Sequence, residues 1–141
     1  MYYFAYGSNM NLHHMRRICG WHFNVLGVGT LNDYEFGPDT RGYANIRPQA
    51  GKKVYGVIYD VNQPCIDALD EFEGYPDIFG REEVAVVDEE GQTLKAWAYI
   101  EPAIKFGNAP IRDDYMRRVV GGAKQNNLPE EWVGFLSTFL E

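Results

Sequence analysis

The chain has 141 residues, of which 45% are hydrophobic and 15% aromatic, and its formal net charge is −7. This length suits a single domain, residues 1–141, with a real hydrophobic core. The negative charge disfavours general binding to nucleic acid or to an anionic membrane surface. No apolar run approaches a membrane span, and the first residues do not form a signal segment. We therefore expect a cytoplasmic protein without nucleic-acid or membrane partners; a homodimer is an open alternative.

The two cysteines, Cys19 and Cys65, lie far apart in the sequence and have no paired spacing. For a cytoplasmic protein this pattern favours two reduced, mostly structural thiols. A disulfide between them is an alternative that the spacing does not support.

The first strand leads into a turn of small residues. The aromatic run Tyr2–Ala5 is typical of a β-strand. The strand is predicted to end at the turn within Tyr6-Gly7-Ser8-Asn9-Met10. A helix can begin next, capped by Asn9 or Asn11. Such a turn exposes backbone N–H groups that suit a carboxylate or a phosphate. Taken alone, an ordinary capped turn is the favoured interpretation, because this arrangement is common.

The rest of the chain alternates short β-rich runs with turns and ends in helices. Strands are predicted within 21–36, which includes the glycine-containing run Val25–Gly29, and at Tyr43–Pro48, Lys53–Val61, Glu82–Val87 and Thr93–Ile100. Helices are predicted at Gln63–Glu73, Ile111–Lys124 and Glu130–Leu140. This order predicts an α+β fold with a curved, mostly antiparallel, barrel-like β-sheet and three to four helices around it.

The helix Gln63–Glu73 carries one acid outside its polar face. Asn62 is its predicted N-cap, and Gly74 is suited to end it. On a helical wheel with Ile66 at zero, the apolar arc holds Ala68, Phe72, Cys65 and Leu69. Asp70, Asp67 and Glu71 form a solvent face. Glu73 falls at roughly 340°, at the edge of the apolar arc.

An inward carboxylate must be paired, hydrogen-bonded or protonated, and burial would raise the pKa of Glu73 toward the range of a general base. Alternatively, Glu73 lies in a fraying last turn, where it reaches solvent or pairs with Arg81.

Three motifs together resemble the γ-glutamylcyclotransferase (AIG2-like) family. They are the Tyr6–Met10 loop, the stretch Leu69-Asp70-Glu71-Phe72-Glu73-Gly74, and Tyr115 followed by Gly122–Pro129. The run Tyr55–Tyr59 looks like the family's central strand. The resemblance therefore covers nearly the whole chain and implies the family's barrel-like fold.

The resemblance also implies a site and a reaction. The loop would hold the γ-glutamyl group of the substrate through Tyr6, Gly7, Ser8, Asn9, Met10 and Asn11. Glu73 would be the acid/base, and Tyr115 would contact the substrate, although core packing of Tyr115 is an equal alternative. The α-amine of a γ-glutamyl peptide, amino acid or amine would attack its own γ-carbonyl and release 5-oxoproline and the free amine. No metal or organic cofactor is implied.

The sequence offers weaker alternatives for the chemistry. His13, His14 and His22 lack the spacing of a metal site, and the two cysteines lie among apolar neighbours, which disfavours a nucleophilic role. Arg41 and Arg47 flank a short strand and are candidates for a substrate carboxylate, with surface ion pairs as the favoured interpretation.

Two other functions fit the same sequence. One is a γ-glutamyl deprotecting enzyme of natural-product biosynthesis, which the motifs do not separate from general peptide turnover. The other is a non-catalytic ligand- or partner-binding domain, for which the aromatic segment Trp132, Phe135, Phe139 and Leu140 would supply a surface. An ordinary apolar stripe of a terminal helix is the favoured interpretation of that segment. Met10 replaces the family's commoner leucine, and Pro76 follows the acid motif, which leaves the choice of leaving amine open.

Overall fold

The computed structural model describes residues 1–102, 105–107 and 109–140. Its strands are β1 (Tyr2–Ala5), β2 (Phe23–Pro38), β3 (Ala44–Val61), β4 (Gly80–Val87) and β5 (Thr93–Ile100). Its α-helices are α1 (Leu12–Cys19), α2 (Gln63–Glu73), α3 (Asp113–Gln125) and α4 (Glu130–Ser137), and a 3₁₀ turn spans Ser8–Met10.

The five strands form a closed barrel in the order β1-β3-β2-β4-β5. Neighbouring strands are antiparallel except for β1 and β5, which close the barrel through a parallel pairing at Tyr3 and Trp97. The predicted α+β barrel-like architecture is therefore confirmed.

The two strands predicted at Tyr43–Pro48 and Lys53–Val61 are one continuous strand, β3. The prediction of two separate strands was wrong because both segments pair with β2: Ala44–Pro48 lies opposite Pro38–Tyr34, and Lys53–Val61 lies opposite Asn32–Phe23. The pairing register shifts between Asn32 and Tyr34, so residues 49–52 of β3 form an irregularity within the one strand.

The glycine-containing run in β2 allows the strand to bend and its neighbours to approach. The pairing register with β3 shifts between Val25 and Gly27. A Cβ on Gly29 would lie 2.5 Å from a methyl group of Val86 and 2.7 Å from the Ile58 side chain. Because only glycine fits that space, the barrel core closes over this position.

Helix α2 begins and ends as predicted, but the exposure of two of its side chains differs from the helical-wheel prediction. Asn62 caps the helix by accepting from the Cys65 N–H at 3.2 Å, and Gly74 ends it with φ +70°. Phe72 was predicted on the apolar arc, yet it is 50% exposed. Asp70 was predicted on the solvent face, yet it is half-buried and ion-paired with Arg81 at 2.9 Å. This pair leaves the Arg81 guanidinium engaged away from Glu73.

Cys19 and Cys65 are joined by a disulfide, so the expectation of two reduced thiols was wrong. Cys19 is the last residue of α1, and Cys65 lies in the first turn of α2. Their Cα atoms are 4.7 Å apart because these two helices pack side by side, a proximity that the sequence spacing does not reveal.

The C-terminal aromatic residues pack on the barrel. The rings of Trp132, Phe135 and Phe139 surround Phe36 of β2 at centroid distances of 6.1, 6.1 and 5.6 Å. This contact agrees with the interpretation of an ordinary terminal helix. Among the described residues, none of the helices combines the length and apolarity that a membrane crossing requires.

Candidate active site

The loop after β1 is a tight turn that points its first residues and its last residues in different directions. The N–H of Met10 donates to the Gly7 carbonyl at 3.1 Å, and the N–H of Asn11 donates to the Ser8 carbonyl at 3.0 Å. The Met10 side chain is fully buried. Asn11 caps α1 by accepting from the His14 N–H at 3.1 Å. Met10 and Asn11 therefore face away from the cavity and stabilise the shape of the loop.

Asn9 connects this loop to the end of α2. Its side-chain amide donates to Glu73 Oε1 at 3.1 Å and to the Tyr3 hydroxyl at 2.8 Å. Its main-chain carbonyl accepts from the Tyr59 hydroxyl at 2.7 Å. Asn9 Oδ1 is buried and has no hydrogen-bond partner among the described residues. The site thus contains an unused acceptor beside the Glu73 carboxylate.

Glu73 carries an elevated pKa. Burial, together with the nearby Glu101, raises the pKa of its carboxyl group to about 7, against the opposing effects of the Asn9 amide and the Arg41 charge. A carboxyl group with this pKa is present in both protonation states at neutral pH. It can therefore both accept and donate a proton under physiological conditions.

Tyr115 points its hydroxyl into the site. The hydroxyl faces the backbone N–H groups of Ser8 and Ala44 and the Ser8 side chain. A Cβ on Gly7 would lie 2.8 Å from the same oxygen, so the loop approaches Tyr115 closely at a position where glycine has no side chain. Burial raises the pKa of the Tyr115 hydroxyl, which keeps it protonated as a donor. Tyr115 therefore lines the inner cavity.

These residues line an inner cavity of about 30 Å³ that opens into an outer cleft of about 320 Å³. The inner cavity is lined by Tyr3, Phe4, Tyr6, Gly7, Ser8, Asn9, Ala44, Glu73, Phe79, Tyr99 and Tyr115. The outer cleft is lined by Ser8, Arg41, Tyr43, Phe72, Glu73, Ile78, Phe79, Tyr115 and Arg118. The two spaces share Ser8, Glu73, Phe79 and Tyr115, so they form one continuous site.

Six of the residues singled out from the sequence thus surround one cavity. They are Tyr6, Gly7, Ser8, Asn9, Glu73 and Tyr115. Met10 and Asn11 do not line it, and the Met10 carbonyl accepts from the Asn126 side chain at 2.9 Å on the α3 side. Tyr3 and Tyr99 also line the cavity, although no sequence motif marks them as site residues. Their only signal was their place in predicted strands, and that signal does not say which face of the barrel they occupy.

Arg41 occupies one wall of the outer cleft in a compact ionic cluster. Its Nη2 donates to Glu101 Oε1 at 2.8 Å and to Asp39 Oδ2 at 3.1 Å. Asp39 is fully buried and also accepts from the Arg41 and Tyr43 N–H groups. Burial and the neighbouring Asp39 raise the pKa of Glu101 to about 7. The cluster therefore holds Arg41 in place and offsets its charge.

Arg47, the other arginine considered, pairs with Glu35 at 2.6 Å and lines neither cavity. The histidines do not form a metal site: within the described residues there is no cluster of three or more His, Cys, Asp or Glu side chains that could hold a metal ion. His14 instead packs its ring edge-on against Phe72, at a centroid distance of 5.0 Å.

Comparison with known proteins identifies the family. Residues 3–117 match the model of the family described as "Gamma-glutamyl cyclotransferase, AIG2-like". The chain belongs to this family, and it is an enzyme of the γ-glutamylcyclotransferase type.

Individual relatives agree with this assignment. The human γ-glutamylcyclotransferase is 31% identical over 92% of this chain and 73% of its own length. The zebrafish (Danio rerio) γ-glutamylaminecyclotransferase A is 39% identical over 50% of this chain and 41% of its own length. A solved structure named "Gamma-glutamyl cyclotransferase" superposes with a TM-score of 0.91 at 26% identity, covering 100% of this chain and 88% of that one.

Proposed function

We propose that this protein converts a γ-glutamyl compound into 5-oxoproline and a free amine, with Glu73 as the group that moves the proton. The observation that carries the proposal is the contact between Asn9 and Glu73, which joins the loop of the family motif to an α2 carboxyl group whose pKa is raised to about 7. Family membership supports the reaction type. The choice of Glu73 is supported by its burial and by its place on both cavity walls.

The proposed reaction is an intramolecular aminolysis. Glu73 takes a proton from the α-ammonium of the substrate, and the neutral nitrogen attacks the γ-carbonyl carbon. The new N–C bond closes a five-membered lactam while the amide bond to the leaving nitrogen breaks. Two protons leave the attacking nitrogen and two reach the departing one, which leaves as an ammonium. Neither water nor an oxidant is consumed.

The surrounding residues have supporting roles in this proposal. The unused Asn9 Oδ1 would accept from the α-ammonium and hold it beside the Glu73 carboxylate. The Tyr115 hydroxyl and the Ser8 N–H and hydroxyl would bind the substrate's oxygen atoms. Because the nucleophile and the electrophile belong to one molecule, the main task of the protein is to fold the substrate into an attacking conformation.

The test uses the purified protein and a panel of γ-glutamyl amino acids, peptides and amines, with 5-oxoproline quantified by mass spectrometry. Glu73→Gln should reduce kcat/KM by about 10²- to 10⁴-fold, as expected for the loss of general acid–base catalysis. Glu71→Gln is the matched control, because Glu71 is an exposed acid on the same helix. Full activity in Glu73→Gln would overturn the mechanism, and no 5-oxoproline from any compound would overturn the function itself.

A further inference from the structure

Arg118 of α3 is a half-buried cation at the wall of the outer cleft. Within residues 1–102, 105–107 and 109–140, no ion pair involves its guanidinium. Its neighbour Arg117 contrasts with it, because the Arg117 guanidinium pairs with Asp113 at 2.8 Å on the outer face of the helix. A half-buried arginine with no counterion is unusual, since desolvating a charge has a cost that a partner normally offsets.

The other arginine of the outer cleft does not supply the same free charge. Two buried acids, Asp39 and Glu101, share the Nη2 atom of Arg41 at 3.1 and 2.8 Å. The uncompensated positive charge along the described wall of the cleft therefore belongs to Arg118. Its field reaches across to α1, where burial and the Arg118 charge lower the pKa of His14 to about 4 and keep that ring neutral.

Arg118 lies one helical turn from the reacting end of the site. Tyr115 and Arg118 are three residues apart on α3, so their side chains project from the same face of the helix. Tyr115 lines the inner cavity as well as the outer cleft, whereas Arg118 lines the outer cleft alone. With the γ-carbonyl held next to Glu73, the leaving amine would extend outward into the space that Arg118 borders.

We infer that Arg118 binds the carboxylate of the leaving group, so that the enzyme prefers γ-glutamyl amino acids and peptides over γ-glutamyl amines that lack a carboxylate. An arginine fork matches a carboxylate with two parallel hydrogen bonds, which gives both strength and orientation. The protein's net charge of −7 offers no general attraction for such an anion, so recognition must come from a local cation. This inference rests on the proposed cyclotransferase function and specifies the substrate class of the same site.

The test compares γ-glutamyl-alanine with γ-glutamyl-ethylamine, since these compounds differ only by the carboxylate of the leaving amine. The measured quantity is the ratio of their kcat/KM values. In the wild type the ratio should favour γ-glutamyl-alanine, and in Arg118→Gln it should fall by about 10- to 100-fold, the range of a charge-assisted hydrogen-bond pair. Arg118→Lys, which keeps the charge and loses the fork, should give an intermediate ratio.

Arg117→Gln is the matched control, because it removes an arginine that faces away from the cleft, and its ratio should equal that of the wild type. A wild-type ratio near one, or an Arg118→Gln ratio equal to that of the wild type, would overturn the inference and leave the cyclotransferase function standing. The absence of 5-oxoproline from both compounds and from the wider panel would overturn the cyclotransferase function, and this inference with it.

Discussion

The side-chain amide of Asn9 donates to Glu73 Oε1 at 3.1 Å, across 64 positions of the chain. This contact brings the loop after the first strand to the end of the helix that follows the third strand. It also gives Glu73 a donor that favours its ionised form and so opposes the effect of burial on its pKa. The proton affinity of Glu73 therefore depends on a residue of the loop that follows β1.

Replacing Asn9 should change the pH dependence of catalysis. In Asn9→Ala the amide donor is lost while burial remains, so the pKa of Glu73 should rise above about 7. The acid limb of the kcat/KM profile should move to higher pH. Tyr3→Phe removes the other acceptor of the Asn9 amide and leaves the contact with Glu73. The acid limb of the kcat/KM profile should therefore move less in Tyr3→Phe than in Asn9→Ala. A limb that moves to lower pH in Asn9→Ala would contradict this account.

Two adjacent glycines in α3 should respond differently to alanine. A Cβ on Gly122 would lie 2.5 Å from the backbone of Met10 and Asn11, so Gly122→Ala must push the helix away from the loop. We expect this change to lower the free energy of unfolding by about 1–3 kcal/mol and to reduce activity. Gly121 has room for a Cβ, with its nearest neighbour at 3.5 Å, so Gly121→Ala should stabilise by about 0.5–1 kcal/mol.

Chemical denaturation of both glycine variants measures this difference directly. Equal effects at the two positions would mean that α3 does not pack on the loop as closely as the structure has it.

Removing Arg41 should expose the repulsion between its two acid partners. In Arg41→Met, Asp39 and Glu101 lose their shared cation, and the pKa of Glu101 should rise because Arg41 normally lowers it. An acid with a raised pKa destabilises the folded state when the acid is ionised. The loss of stability in Arg41→Met should therefore be largest above pH 7 and smaller near pH 5. We expect Arg41→Met to lower the free energy of unfolding by about 1–3 kcal/mol at pH 8, allowing for the partial exposure of Arg41.

Thermal or urea unfolding at the two pH values measures the effect of Arg41→Met. Arg47→Met is the control, because its partner Glu35 keeps a second cation, Lys52, at 3.4 Å. A pH-independent loss in Arg41→Met, equal to that of the control, would argue against the charge interpretation.

Glu73 should lower the free energy of unfolding at neutral pH. Its folded pKa of about 7 lies above its ordinary value of 4.5, so the folded state binds more protons than the unfolded state between these values. The contribution of Glu73 to the free energy of unfolding therefore falls as pH rises through this window. Glu73→Gln should be more stable than the wild type at pH 8, by about 1–3 kcal/mol, and the difference should shrink below pH 5. Denaturant unfolding at both pH values tests this, and a less stable Glu73→Gln at pH 8 would contradict it.

The sequence predicts the local features of this site better than the long-range ones. The caps of α2 and the inward position of Glu73 follow from residue spacing, because a helix fixes directions over one or two turns. The same wheel misplaced Phe72 and Asp70, because the barrel leaves Phe72 uncovered and supplies Arg81 and the Tyr99 hydroxyl as partners for Asp70. Those partners come from other strands, and helical periodicity contains no information about them.

The ionic cluster and the disulfide illustrate the same limit. Asp39 and Glu101 meet at Arg41 only because the barrel brings together segments about sixty residues apart. Cys19 and Cys65 meet because α1 and α2 pack side by side. In each case the decisive contact depends on how elements distant in the sequence pack together, which a pattern read along the chain does not specify.

The most direct test of the central claim is the pH dependence of kcat/KM for 5-oxoproline formation. We expect kcat/KM to fall on the acid side with a pKa of about 7, as Glu73 becomes protonated. Because the pKa of Glu101 is also about 7, the profile should be measured in Glu101→Gln as well. In Glu101→Gln the acid limb of the kcat/KM profile should persist at slightly lower pH, since Glu101 raises the pKa of Glu73. A wild-type limb at an ordinary carboxyl pKa near 4.5, or a limb that disappears in Glu101→Gln, would contradict the assignment of Glu73 as the proton-transfer group.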